Sequence, residues 1–81
     1  MYMIEFDKFA VGKVVYNLRK ERNLSQEVTS GLAGIARSHL SMIETGEKLA
    51  NLETLWKIAF ALDLHPFELI QMIEKECEKD K

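Results

Sequence analysis

The stretch from Ser25 to Gly46, SQEVTSGLAGIARSHLSMIETG, constrains this chain more than any other. Ser25 is a strong helix N-cap, because its hydroxyl can accept from the first unpartnered backbone N–H groups. Gln26 to Ala33 then read as one short helix. Gly34 supplies the positive φ that an abrupt helix stop needs, and Ile35 is an apolar peg just beyond it. Arg37 to Glu44 read as a second short helix, with Leu40 and Ile43 three residues apart on one face. Gly46 ends it.

Two helices crossing at a glycine-bearing turn of three or four residues form a helix-turn-helix, whose second helix is the one that enters a major groove. The details narrow this further. Ser25-Gln26-Glu27, Ala33-Gly34-Ile35, Arg37-Ser38, Leu40-Ser41, Ile43-Glu44 and Gly46 resemble the Cro/C1-type (XRE) helix-turn-helix domain, as do Leu52-Glu53-Thr54-Leu55 and Lys57-Ile58-Ala59. Each element is weak alone; their joint spacing is specific, and the resemblance runs without a gap over about residues 8–70. It implies an all-α fold, a compact five-helix bundle of the lambda repressor-like DNA-binding type, that binds operator DNA as a homodimer. The expected organisation is an N-terminal arm (1–7), the helix-turn-helix domain (8–73) and a charged C-terminal tail (74–81).

A chain of 81 residues that is 47% hydrophobic can build one domain with one core. So short a chain needs close helix packing or a partner to be comfortably stable. The single cysteine, Cys77, excludes an internal disulfide and fits a reducing cytoplasm. There is no signal-peptide pattern at the N-terminus, and the apolar runs are far shorter than a membrane span, so a cytoplasmic location with no membrane association is expected. The net charge of −2 runs against a polyanion binder. It is unevenly spread, however: residues 1–24 carry net +2, residues 25–51 net −1 and residues 52–81 net −3. A local basic face can still serve, with modest affinity at physiological salt.

In chain order, Met1 to Phe6, nearly all apolar, form an arm with two readings: it packs on its own domain, or it reaches across to a partner subunit. Asp7 caps a first helix that runs to about Arg22, with Val11, Val14, Val15 and Leu18 on its inner face. Gly12 sits inside it at a cost of about 1 kcal/mol relative to alanine; it matches the usual glycine of the resembling family, which implies close helix approach. Asn23 is a stop before Leu24, a core position. In the second helix Thr29, Ser30 and Gly31 are poor helix formers, so tertiary contacts must hold it. Val28 and Leu32, four apart, either rotate slightly into cover or make an extra contact surface for the arm. Ala36 is a weaker cap than serine by about 1 kcal/mol. Thr45 to Ala50 form a loop in which Glu47 would repel phosphate. Asn51 caps a fourth helix with an apolar stripe of Leu52, Leu55, Ile58, Ala59 and Leu62; Trp56 and Phe60 belong to core or interface. Asp63 ends it, His65 sits at the next cap, and Pro66 fits the first turn of a fifth helix. Leu69 and Met72 return to the core. Phe67, Ile70 and Ile73 are surplus apolar surface, hence a dimer interface. From Glu74 the charged residues should fray.

The resemblance implies roles for individual residues. Arg19 and Glu44 would form a partly buried ion pair tying the first helix to the third. Arg37 is the main specificity residue, because arginine can bond both acceptors of a guanine. Ser38 lies beside it, and Met42 can only touch a thymine methyl or exclude other bases. Gln26 and Ser41 hold phosphates or brace Arg37; Thr45 and Lys48 are weaker backbone contacts. No catalytic residue, metal or cofactor is expected: His39 and His65 lack metal-ligand spacing and read as structural or solvent-facing, and Cys77 has no histidine near it in sequence. The first reading is a sequence-specific DNA-binding transcriptional regulator, a repressor or controller, on palindromic double-stranded operator DNA. Regulation would come from occupancy, dimerisation or a protein partner, a minimal plan shared by restriction–modification controllers, small phage-type repressors and antitoxins. The alternative is a protein-interaction module or antitoxin component that keeps the fold with weak or no DNA binding. The acidic tail, Glu47 and Leu49 favour the alternative; Gln26, Arg37 and Ser41 oppose it.

Overall fold

In a computed structural model the described residues are 3–79; Met1 and Tyr2 of the arm, and Asp80 and Lys81 of the tail, lie outside them. Five helices follow one another: α1 (Ala10–Glu21), α2 (Gln26–Ala33), α3 (Arg37–Thr45), α4 (Leu52–Ala61) and α5 (Pro66–Lys79). Among the described residues there is no strand, and no helix is long and apolar enough to cross a membrane.

Local chemistry sets most of the ends. Ser25 Oγ accepts from the Val28 N–H at 3.0 Å, and Asn51 Oδ1 from the Thr54 N–H at 2.8 Å, so α2 and α4 start on side-chain caps. At the start of α5 the Glu68 carboxylate reaches back to the His65 N–H at 2.8 Å. The chain turns left-handed after each of the first four helices, at Asn23 (φ 55°), Gly34 (φ 72°), Gly46 (φ 85°) and Asp63 (φ 59°). Beyond three of these turns an amide reaches back to close the last helical turn: Leu24 to Arg19 O at 3.0 Å, Ile35 to Ser30 O at 3.0 Å and Leu64 to Ala59 O at 2.9 Å.

The core is assembled around α1, which packs against α3 and α5 while α2 packs against α3 and α4. Ala10, Val11, Val14, Val15 and Leu18 meet Leu40 and Ile43 of α3, Ile58, Ala59 and Leu62 of α4, and Leu69, Ile73 and Cys77 of α5. Gly12 is what lets α1 and α3 close: a Cβ there would stand 2.5 Å from the backbone oxygens of both Ile43 and Glu44.

Several expectations are corrected. Asp7 does not cap α1 directly: its Oδ1 accepts from the Phe9 N–H at 2.9 Å, a turn forms first, and the helix starts at Ala10. α3 runs one residue past Glu44, to Thr45. Leu24 is half-buried against the core rather than within it. Of the two readings of Val28 and Leu32, the one that buries them fails: both stay exposed, because Thr29, Ser30 and Ala33 take the inner face of α2. Leu52 is exposed rather than on the inner face of α4, which is Thr54, Ile58, Ala59 and Ala61; Trp56 and Phe60 are exposed too, which leaves only the interface reading of that pair. Ile73 is buried, not surplus, and the expected fraying tail is instead the end of α5, where Cys77 lies four residues beyond Ile73 on the same inner face. Of the described arm residues, Ile4 lies against the core and the Asp7 N–H points to Cys77 Sγ at 3.4 Å, while Met3 and Phe6 are exposed.

One defect in this packing carries a prediction. Thr29 is fully buried, and its hydroxyl has no hydrogen-bond partner among the described residues. A buried unsatisfied hydroxyl costs about 1–3 kcal/mol, and valine has nearly the same shape. Thr29→Val should therefore raise the melting temperature, by about 4–8 °C for each kcal/mol recovered in a domain of this size, with an unchanged circular dichroism spectrum.

Candidate nucleic-acid interface

α3 is held from one side and bare on the other. Leu40 and Ile43 are buried against α1. At its C-terminal end the Glu44 carboxylate accepts three bonds. Arg19 Nε gives one at 2.8 Å, Arg19 Nη2 another at 3.0 Å, and Gln26 Nε2 a third at 3.0 Å. Arg19 Nη1 also donates to Leu24 O at 2.8 Å, so one guanidinium ties the end of α1, the turn before α2 and the end of α3. The side chains of Arg19 and Glu44 are 8% and 4% exposed, so this bidentate pair is sheltered from water. The hydrogen bonding of the Arg19 guanidinium to the Glu44 carboxylate, ahead of the opposing effect of burial, holds the Arg19 pKa above its ordinary value. Stability from a raised pKa is complete below the unfolded-state value and fades only as pH climbs through the folded one. Here both lie far above neutrality, so ordinary pH changes leave Arg19 charged.

The outward face carries the residues expected to meet DNA. Arg37 and Ser38 are exposed at the start of α3, and Ser41 and Met42 are half-buried one turn on. Nothing caps this end, since Ala36 has no side chain able to accept. Past the far end, the Met42 carbonyl accepts from the Lys48 N–H at 3.2 Å and the Thr45 hydroxyl at 3.1 Å. That folds the loop back and leaves the Lys48 side chain exposed. Thr45 Oγ1 also lies 3.5 Å from Glu47 Oε1, so an acid borders this flank.

Between the start of α2 and the start of α3 lies an open polar hollow of about 550 Å³, lined by Arg19, Lys20, Asn23, Leu24, Ser25, Gln26, Glu27 and Arg37. The structure thus brings Gln26 and Arg37 to one hollow. Lys20 and Asn23 were not anticipated; the signal for them is their place in the last turn of α1 and its stop, directly before the α2 cap. Gln26 is tied to Glu44 rather than to Arg37. Among the described residues no three His, Cys, Asp or Glu side chains gather as a metal site would require. The interface residues expected on α5 divide: Phe67 and Ile70 are exposed, Ile73 is not.

Comparison with known proteins agrees with this geometry. The helix-turn-helix family HTH_3 matches residues 15–69. An uncharacterised HTH-type transcriptional regulator of Sinorhizobium fredii, y4dJ, is 33% identical over 60 residues, covering 74% of this chain and 78% of that protein. The ImmF control region 10 kDa protein of Bacillus phage phi105 is 35% identical over 69 residues, covering 80% and 77%. The crystal structure of the restriction-modification controller protein C.AhdI from Aeromonas hydrophila superimposes with a TM-score of 0.74 at 36% identity, covering 78% of this chain and 96% of that one. The family match spans most of the chain and covers the helix pair, so the chain belongs to the HTH_3 family, the Cro/C1-type helix-turn-helix regulators of transcription.

Proposed function

We propose that this protein is a sequence-specific DNA-binding transcriptional regulator, a repressor or controller, that occupies operator DNA as a homodimer with α3 in the major groove. The observation that carries the reading is the division of α3: its inner face is locked into the domain, while Arg37 and Ser38 stand free at the end expected to meet base edges. The neighbouring hollow supports it. Lys20 and Arg37 flank the start of α2, where helix N–H groups and the dipole favour an anion, so a backbone phosphate fits there while α3 reads the groove. Glu47 and the net charge of −2 make the non-specific attraction weak. Specificity then rests on few contacts, and Arg37 is the principal one. Arg37→Ala should cost about 1–3 kcal/mol on the preferred duplex and relax one base pair per half-site. Lys48→Ala should weaken every sequence alike and lower the salt slope by about 1. Anisotropy titrations at two salt concentrations, against a duplex enriched from a randomised pool and a random duplex, separate the two. Equal, salt-insensitive or absent binding to both duplexes would favour the interaction-module alternative.

The dimer belongs to the same reading. Trp56 (58% exposed), Phe60 (74%), Phe67 (68%) and Ile70 (43%) lie on the outer sides of α4 and α5. A hollow lined by Trp56, Phe60, His65 and Pro66 joins the two helices, and the His65 ring stacks on Phe67 with centroids 5.7 Å apart. Surplus apolar surface of this kind marks an interface, and a two-fold arrangement matches a palindromic operator. Phe60→Glu and Ile70→Glu should each leave a folded monomer, weakening dimerisation about thirtyfold or more if they act as hot spots. Ile73→Glu should instead unfold the domain. Sedimentation with circular dichroism distinguishes these results.

A further inference from the structure

Four residues of α1 recur at steps of four, three and four: Phe9 at its N-cap, then Lys13, Tyr16 and Lys20. That spacing sets them in one stripe along the helix, and all four are exposed. The stripe alternates ring and cation. Arg19 Cζ stands 5.4 Å and Lys20 Nζ 5.8 Å from the centre of the Tyr16 ring, and Lys8 Nζ stands 5.1 Å from that of Phe9. Among the described residues no carboxylate pairs with Lys8, Lys13 or Lys20.

This stripe runs beside α3. At the start of α1 the Phe9 ring lies against Gly46, the residue that ends α3; a Cβ on Gly46 would stand 2.5 Å from it. At the end of α1, Lys20 lines the same hollow as Arg37, the first residue of α3. Beyond α3 the loop offers only Lys48, next to the acidic Glu47.

We propose that the stripe from Phe9 to Lys20 is a phosphate-binding track, which grips the backbone of a strand bordering the groove that α3 enters. The proposal rests on the reading of DNA by α3 and extends the contact surface from the hollow along the outer face of α1. Lys13 and Lys20 are seven residues apart, about 10 Å along the helix, so they reach different phosphates. The Tyr16 face attracts the Lys20 ammonium, and its hydroxyl is itself able to donate to phosphate. Such a track is blind to sequence and sensitive to salt.

The test is anisotropy titration of Lys13→Gln on the enriched and random duplexes across a salt series, with thermal melts. The variant should melt with wild type and weaken both duplexes about fivefold near 0.15 M salt, lowering the slope of log affinity against log salt by about 0.9. Lys13→Arg should keep affinity and slope. Lys75→Gln, which removes an exposed charge from α5, should change neither. An unchanged slope in Lys13→Gln would leave the stripe to an acidic protein surface and overturn the track. An equal fall in Lys75→Gln would reduce the effect to net charge and overturn it too, as would a loss confined to the enriched duplex, the mark of base reading. Wild-type protein that binds neither duplex would overturn DNA binding itself, a failure seen before any substitution is made.

Discussion

Glu44→Ala should destabilise the domain severely, costing about 3–5 kcal/mol. The substitution strands a guanidinium whose side chain is only 8% exposed, and an uncompensated buried charge costs that much. A domain of this size has only about 5–15 kcal/mol in total, so the expected fall in melting temperature is of the order of 20 °C. A companion variant identifies the cause. Arg19→Met combined with Glu44→Leu removes both charges and keeps apolar volume, so it should be more stable than either Arg19→Met or Glu44→Leu alone. A Glu44→Ala protein that melts with wild type would mean that the pair contributes nothing to the fold.

Gly12→Ala should be nearly as severe, and Gly31→Ala should have the opposite sign. Alanine at a helix interior is worth up to about 1 kcal/mol over glycine. At Gly31 nothing lies within 4 Å of the added methyl, so the gain is realised and α2 becomes more stable. At Gly12 the methyl would stand 2.5 Å from two backbone oxygens of α3 and 2.8 Å from the Glu44 carbonyl carbon. Backbone cannot rotate away as a side chain can, so α1 and α3 must separate, at a typical overpacking cost of about 1–3 kcal/mol or more. Because those oxygens belong to Ile43 and Glu44, the separation also loosens the Arg19 bonds, and the effects compound. Chemical denaturation of the two variants side by side checks both signs; a stabilised Gly12→Ala would show that the crossing is looser than the structure has it.

The parts of the fold carried by near neighbours were legible in the residues. Ser25, Asn51, Gly34 and Gly46 do locally what their chemistry demands, and the helices begin and end at them within a residue. Which way each helix faces was less legible. In α2 the apolar pair Val28 and Leu32 allowed two readings, local burial or an extra contact surface; Thr29, Ser30 and Ala33 take the inner face and the apolar pair faces water. In α5 the charges from Glu74 onward read as a tail, although Ile73 and Cys77 are four apart on a buried stripe with the charges outside it. The bond from Gln26 to Glu44 spans 18 residues of sequence. No local pattern announces it, since a glutamine at that position serves a phosphate or a carboxylate equally well.

The bare outer face of α3 has a consequence for how such a protein can change over generations. Arg37 and Ser38 touch none of the groups that hold the helix in place; Leu40, Ile43 and Glu44 do that from the other side. Exposed positions away from caps and packing typically shift stability by no more than about 0.5 kcal/mol when substituted. New residues at 37 and 38 can therefore be sampled almost without risk to folding, so that a lineage can trade one DNA target for another while its scaffold stays the same. An engineer can do likewise, randomising those two positions in a fixed frame and selecting only for what they bind.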